Sequence, residues 1–453
     1  MESVNPATGE VIATYEEMNS GELNAIAEQA VEAQITWRQK RFDERAAILR
    51  RVADLLDSNK EEYARLMASE MGKPLEQGRS EIEKCAWVSN YYAEHAELFL
   101  KDEMIESDAE KSFIAYNPLG TVLAIMPWNF PFWQLFRFAA PALMAGNAAL
   151  LKHASNVTGC ALAIEDLMHE AGVPGQLFRT LAASSDQVQD LIPNEHIAAV
   201  TLTGSIRAGK AVASTAGSEV KKAVLELGGS DPYLILEDAD IERAAEACAA
   251  SRLINSGQSC IAAKRFIVVG ETYEPFLEKF TERMKNKRMG DPLEEGVDLG
   301  PMAREDLRDE LHEQVRQSVE AGADCILGGE IPDREGAYYP PTILTNVTKE
   351  MPAGREELFG PVASVMRAKD EQEAISIAND SDFGLGAAVF SRDVERAEQI
   401  AARELEAGCC FVNTYVRSDP RLPFGGIKES GFGRELSHLG IREFVNIKTV
   451  YRA

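Results

Sequence analysis

From residue 121 onward the chain alternates short apolar runs with helical stretches, and this alternation leaves few architectures open. Residues 121–126, 148–152, 198–202 and 222–226 read as strands. Helical patterns occupy 158–171 and the stretch from about Ala208. Strands joined through helices must lie parallel, with the helices on the sheet's faces. A second block of the same kind begins near Asp231. Its strands are 233–236, 265–269, 325–327, 342–345, 363–367 and 386–390, with helices over 241–255 and 273–284. The first hundred residues differ. Apolar residues recur at three-to-four spacing over 16–39, 43–59 and 61–98, the last broken near Gly72–Pro74, which predicts helices. Residues 112–116 and 121–126 flank Asn117-Pro118-Leu119-Gly120, a turn signal, and are expected to form a strand pair. The tail 445–451 is rich in β formers. It is expected to pair with 112–116 or with another subunit.

The length of 453 residues implies two or three domains. A net charge of −26 repels a polyanion and excludes nucleic acid as an expected partner. Seven cysteines at wide spacings, with no CxxC, argue against a disulfide framework and against a metal site. The longest apolar stretch, 138–151, is interrupted by Pro141, Gly146 and Asn147 and is too short to span a bilayer. The first residues lack a basic and apolar leader. The expectation is a cytoplasmic protein without a membrane partner.

Five short pieces carry chemistry. Cys260 follows Asn255-Ser256-Gly257-Gln258-Ser259 at a predicted helix end, where small neighbours leave a thiol accessible and able to be held as a thiolate. Glu226 closes an apolar strand before Leu227-Gly228-Gly229. The glycines are expected to leave room beside the acid, which suits a general base. Asn129 sits in Pro127-Trp128-Asn129-Phe130-Pro131, a rigid loop presenting an amide donor fit for an oxyanion. Thr203-Gly204-Ser205 links a strand to a helix N-terminus, a phosphate site by geometry, although no GxGxxG is present. Glu356-Glu357-Leu358-Phe359-Gly360-Pro361 puts an acid and an aromatic before a turn. Taken singly, each is an ordinary fragment: a buried cysteine, a surface glutamate, a stiff turn, a helix cap, a loop.

In this order, together with Val4-Asn5-Pro6-Ala7-Thr8-Gly9 and Pro423-Phe424-Gly425-Gly426, the pieces resemble the aldehyde dehydrogenase superfamily over nearly the whole chain. The resemblance implies an α/β fold. A Rossmann-like NAD(P)-binding domain would comprise 1–105 and 121–226, a catalytic α/β domain 227–430, and a small β oligomerisation element 106–120 and 431–453. It implies that Cys260 attacks the aldehyde carbon and that Asn129 and the Cys260 N–H hold the oxyanion. Glu226 would activate the water that hydrolyses the thioester. Members passing the acyl group to coenzyme A typically lack that glutamate, so release of the free acid is expected. The resemblance also implies that Trp128 and Lys152 line the adenosine side and that Gly204 and Ser205 meet the pyrophosphate. Glu357 would hold the nicotinamide ribose, and Phe359 would pack near the nicotinamide. A homodimer or homotetramer is implied as well.

One departure bears on the cofactor. Many NAD-preferring members carry Lys-Pro-x-Glu, whose glutamate holds the adenosine ribose. Here the run is Lys152-His153-Ala154-Ser155. With Ser155 in place of a carboxylate, and Lys152 and His153 as attracting groups, NADP is expected over NAD.

For the substrate, Arg137 stands eight residues after Asn129 on a predicted helix over 132–143. In succinate-semialdehyde dehydrogenases an arginine at this spacing binds the distal carboxylate, for which a guanidinium fork is suited. Ser418, Arg417 or Arg421 would add a second contact. A second arginine found before the nucleophile in some such enzymes is absent, the position being Ile254. The alternatives are a dehydrogenase for neutral or aromatic aldehydes, and a cysteine esterase. The cofactor pieces argue against the esterase, and retention of Cys260, Glu226 and Asn129 argues against a non-catalytic protein.

Overall fold

The computed structural model describes residues 1–453. Its first sheet has six strands in the order Gly431–Phe432, Lys222–Glu226, Ala199–Thr203, Thr121–Met126, Ala148–His153, Phe178–Thr180. All pairings are parallel except that of Gly431–Phe432. Every residue of Ala148–His153 and all but one of Thr121–Met126 are buried, which is why these strands read as continuous apolar runs. The chain winds outward from Thr121–Met126 through Ala148–His153 to Phe178–Thr180, then returns to the other side at Ala199–Thr203. The carboxyl ends of Thr121–Met126 and Ala199–Thr203 therefore flank a switch point, where an α/β sheet opens a crevice.

The expected pairing of the strands around Asn117–Gly120 does not occur. Lys111–Pro118 lies in a separate three-stranded sheet, between Val445–Arg452 and Glu103–Met104. The burial of the two strands gives the reason. Thr121–Met126 is apolar on both faces and needs cover on both, whereas only Ser112 of Lys111–Pro118 is fully buried. The turn thus carries the chain from one sheet to another, pinned where Gly120 N–H donates to Asn147 Oδ1 at 3.0 Å. The tail pairs with this strand along its full length.

The helix Ser20–Trp37 packs on the first sheet, while Phe42–Ser58, Lys60–Met71 and Leu75–Phe99 pack on one another and on the helices Trp133–Ala145 and Thr158–Ala171. Asn19 and Glu22 form a capping box on the first of them. The break near Gly72 is enforced. Its φ is +78°, and a Cβ there would lie 2.7 Å from the Pro301 carbonyl oxygen.

The second sheet has seven strands in the order Asp324–Leu327, Thr342–Thr345, Val362–Ala368, Arg265–Val269, Pro232–Ile235, Gly386–Phe390, Cys409–Val412. Only Asp324–Leu327 is antiparallel to its neighbour. Alternate residues feed separate cores: Leu234, Ile267 and Leu344 on one face, Tyr233, Phe266 and Ile343 on the other. The sequence reading missed Phe178–Thr180 and Cys409–Val412, short edge strands without a long apolar run. No helix is long and apolar enough to cross a membrane.

Candidate active site

The loop carrying Asn129 leaves the carboxyl end of Thr121–Met126 and is clamped from the helical layer. Glu81 accepts the backbone N–H groups of Phe132 and Trp133, both at 2.9 Å, and pairs with Lys73. Lys73 Nζ donates to Asn129 O at 2.9 Å and stands 3.8 Å from the Phe130 ring centre. Asn255 Nδ2 donates to the same carbonyl at 2.7 Å. Asn129 Nδ2 donates to Gln258 O at 3.1 Å, which ties the asparagine to the segment before Cys260. From below, His153 Nε2 lies 2.9 Å from Pro131 O while its Nδ1 accepts from Ala154 N–H. The network thus assigns the proton to Nε2. Burial lowers the His153 pKa to about 4. The ring is neutral and fully engaged, so the expectation that His153 attracts a phosphate is corrected: it props the Asn129 loop.

The predicted helix before Cys260 ends two residues early, at Leu253. Asn255, Ser256 and Gly257 follow with φ of +53°, +54° and +76°. Two non-glycine residues in the left-handed region store strain that their surroundings must hold in place. Asn255 N–H donates to Gln77 Oε1 at 2.6 Å, Ser256 Oγ to Gly300 O at 3.1 Å, and Arg252 Nη2 to Gly257 O at 2.6 Å. Beyond the sulfur, Lys264 Nζ donates to Ser259 O at 2.8 Å and Cys260 O at 2.7 Å, and lies 3.3 Å from Glu357. Burial pushes the Cys260 thiol up to about 12, against the opposing pull of Arg137 and Lys264. In this pocket desolvation outweighs the nearby cations and favours the protonated thiol, so the attacking thiolate must be formed by loss of a proton.

Glu226 ends its strand and is 2% exposed. Neither carboxyl oxygen has a hydrogen-bond partner. Burial raises its pKa well above the usual range, Glu435 reinforces the shift, and Arg137 opposes it. The space beside it comes from Gly425, where a Cβ would fall 2.7 Å from Glu226 Oε1. Gly228 and Gly229 do other work than expected. Cβ atoms on them would meet Glu357 Oε2 at 2.3 Å and Cys260 O at 2.8 Å, and Gly229 N–H donates to Glu357 Oε1 at 3.0 Å.

Two cavities meet at Cys260. One, of about 300 Å³, is lined by Trp128, Asn129, Gly204, Ser205, Glu357 and Phe359 among others. Ser205 caps the helix Ile206–Ser218, and the Trp128 and Phe359 rings meet edge-on at 5.7 Å. Lys152 and Ser155 lie at the end of the neighbouring strand, Lys152 buried and Ser155 exposed. The other cavity, of about 350 Å³, is lined by Trp133, Arg137, Ser418, Phe424 and a residue the sequence reading missed, Lys84. Arg137 is buried at 2% exposure, paired with Glu435, and its Nη2 donates to Thr203 Oγ1 at 3.3 Å. Its guanidinium carbon stands 4.6 Å from the Phe424 ring centre. Ser418 Oγ accepts from Lys84 Nζ at 2.7 Å. Arg417 lines the cavity and is exposed. Arg421 lies outside the lining and is engaged by Asp419 at 2.6 Å. Glu435 was also missed.

Comparison with known proteins adds the following. The aldehyde dehydrogenase family model matches residues 1–450. A protein of Synechocystis sp. described as a probable NADP(+) succinate-semialdehyde dehydrogenase is 49% identical over 451 residues, covering 100% of this chain and 99% of its own. The Escherichia coli NAD(P)+ succinate semialdehyde dehydrogenase is 49% identical, with 99% and 97% covered. Among solved structures, the Streptococcus pyogenes succinic semialdehyde dehydrogenase in complex with NADP+ superposes with a TM-score of 0.97 at 38% identity, with 99% of both chains covered.

Proposed function

Because the chain belongs to the aldehyde dehydrogenase family, we propose that it oxidises an aldehyde carrying a distal carboxylate, succinate semialdehyde foremost, with NADP+ preferred over NAD+. The observation that carries this reading is that Cys260 lines both cavities, so one sulfur faces a seat for the cofactor and a seat for the aldehyde. The names of the relatives from Synechocystis sp. and Escherichia coli support the substrate and the cofactor.

The first cavity fits a dinucleotide in its donor set. The helix N-terminus at Gly204 and Ser205 would hold the pyrophosphate and Glu357 the nicotinamide ribose, with Lys152 toward the adenosine side; Trp128, expected on the adenosine side, instead meets Phe359 and would sit with it at the nicotinamide end. The bound nicotinamide supplies the hydride acceptor. Cys260 gives up its proton and its sulfur adds to the aldehyde carbon, a step that needs a base because burial holds the thiol near 12. Glu226 in its carboxylate form, buried and without partners, is the candidate base, and it must pass that proton to solvent before it can act again. Asn129 spends one amide hydrogen on Gln258 O and has the second for the oxyanion, alongside the Cys260 N–H. Loss of hydride from the adduct leaves a thioester. Glu226 then takes a proton from the water that hydrolyses it. Arg137 and Ser418 lie in the second cavity as candidate carboxylate contacts.

Ser155 is neutral and exposed where a carboxylate would repel a 2′-phosphate, which favours NADP. We assign 1–105 and 121–226 to the cofactor domain, 227–430 to the catalytic domain, and the remainder to a β element, with two exceptions at the boundaries: Glu103–Met104 pairs within the β element and Gly431–Phe432 pairs onto the cofactor sheet. Its outer strand Val445–Arg452 has one free edge and exposed Ile447 and Tyr451, features suited to a second copy in a homodimer or homotetramer. The test is kcat/KM for succinate semialdehyde against butanal, with each cofactor. A clear preference for the semialdehyde with NADP+ is expected. Equal rates for both aldehydes would return the enzyme to the general-aldehyde reading.

A further inference from the structure

Three cations line the cavity on the aldehyde side: Lys84, Arg137 and Arg417. Their circumstances differ. Arg137 is already compensated by Glu435, and its Nη2 is spent on Thr203. Its charge acts at the reacting end, where it opposes the upward shifts of both Cys260 and Glu226. Arg417 is exposed, so water screens it. Lys84 is half-buried and has no carboxylate partner within ion-pair distance. Its Nζ donates to the neutral Ser418 hydroxyl at 2.7 Å and stands 4.3 Å from the Trp133 ring centre. Of the acids nearby, Glu81 is taken by Lys73 and Asp419 by Arg421, while Glu76, in the same lining, is exposed to water.

An ammonium partly withdrawn from water with no ion pair gains from an anion that arrives with a ligand. Desolvation, reinforced by Arg137, lowers the Lys84 pKa to about 8. Ser418 accepts from Lys84 and keeps its own proton to give. Ammonium and hydroxyl together present two donors to one anion at the wall of a cavity that has Cys260 elsewhere in its lining.

We propose that Lys84, with Ser418, is a specificity-determining seat for the substrate's distal carboxylate, beside Arg137 in the same cavity. This rests on the carboxylate-bearing-substrate reading above and adds to it a residue on a different helix. Lys84 then takes the part that a second arginine, absent at Ile254, would otherwise fill.

The experiment measures kcat and KM for succinate semialdehyde and butanal at saturating NADP+ in wild type, Lys84→Met and Lys84→Arg. Lys84→Met should lower kcat/KM for the semialdehyde by about 30-fold or more, mostly through KM. Butanal should change by less than about threefold, which also reports that the variant is folded. Lys84→Arg should recover part of the loss. Retention of the semialdehyde preference in Lys84→Met overturns the proposal while leaving the substrate reading intact. So does an equal loss on both aldehydes, which makes Lys84 a packing residue. A wild type indifferent to the carboxylate sinks the substrate reading itself, and Lys84's role with it.

Discussion

Replacing Gly257 by alanine should disable the enzyme without touching any reacting group. Gly257 has φ +76°, and an added Cβ would lie 2.3 Å from both the carbonyl carbon and oxygen of Gly360 and 2.6 Å from Pro361 N. Ordinary contact begins near 3.4 Å. The backbone must therefore yield by about 1 Å, and no flexible side-chain tip is available to give way. The left-handed φ alone costs alanine about 1–2 kcal/mol. What moves is either the segment Asn255–Cys260 or the turn at Gly360, and the first carries the sulfur while the second follows Glu357 and Phe359. A misplacement of about 1 Å in a reacting group costs on the order of 100-fold in rate. The assay is kcat/KM on the preferred aldehyde, with far-ultraviolet dichroism to confirm the fold. Gly217→Ala is the control. It sits in the helix Ile206–Ser218 with nothing within 4 Å of the added Cβ, and should leave activity unchanged while adding up to about 1 kcal/mol of stability. If Gly257→Ala keeps activity within about threefold of wild type, the tightness of this contact does not position Cys260 and the argument fails.

Glu226→Gln should slow turnover by about 10²–10⁴-fold. If acylation survives, it should leave a burst of reduced cofactor close to one per site. Alkylation of Cys260 by iodoacetamide without cofactor should speed up about tenfold per pH unit from 7 to 10, since the thiol sits near 12; a plateau at neutral pH would contradict this. Ser155→Glu should move the ratio of kcat/KM for NAD+ over NADP+ upward by at least about tenfold, and an unchanged ratio would remove Ser155 from cofactor choice. His153 has a folded pKa of about 4, below its unfolded value near 6.5, so its contribution is full above pH 6.5 and is lost as pH falls toward 4. That amounts to about 3 kcal/mol, and His153→Gln should show a shallower fall of stability in urea over this window. The KM for an anionic aldehyde should rise above about pH 8 as Lys84 loses its proton among Arg137, Arg417, Cys85, Glu76, Glu81 and Asp419, while that for butanal stays flat.

Much of this architecture was legible because buried parallel strands leave unbroken apolar runs, as in Ala148–His153, and because chemistry collects just past their carboxyl ends, at Asn129, Gly204 and Glu226. Three things were not legible, each for a physical reason. The turn at Asn117–Gly120 has the local signature of a hairpin, yet the choice of partner sheet depends on burial of the second face, a tertiary property. Asn255 and Ser256 continue a helical pattern, and the partners that meet them at positive φ, Gln77, Asn129 and Gly300, are distant in sequence. Lys84 borders the buried stripe of its helix, where a lysine ordinarily reaches for water, and its partner Ser418 is 334 positions away. No local pattern carries that contact.

The buried thiol has a consequence for the protein's working life. Peroxides and stray electrophiles react with sulfur in its ionised form. A cysteine held protonated by its surroundings is stored in a passivated state between turnovers. In an enzyme whose substrates are themselves electrophiles, the desolvation that makes the nucleophile hard to ionise also limits how often it is exposed to damage.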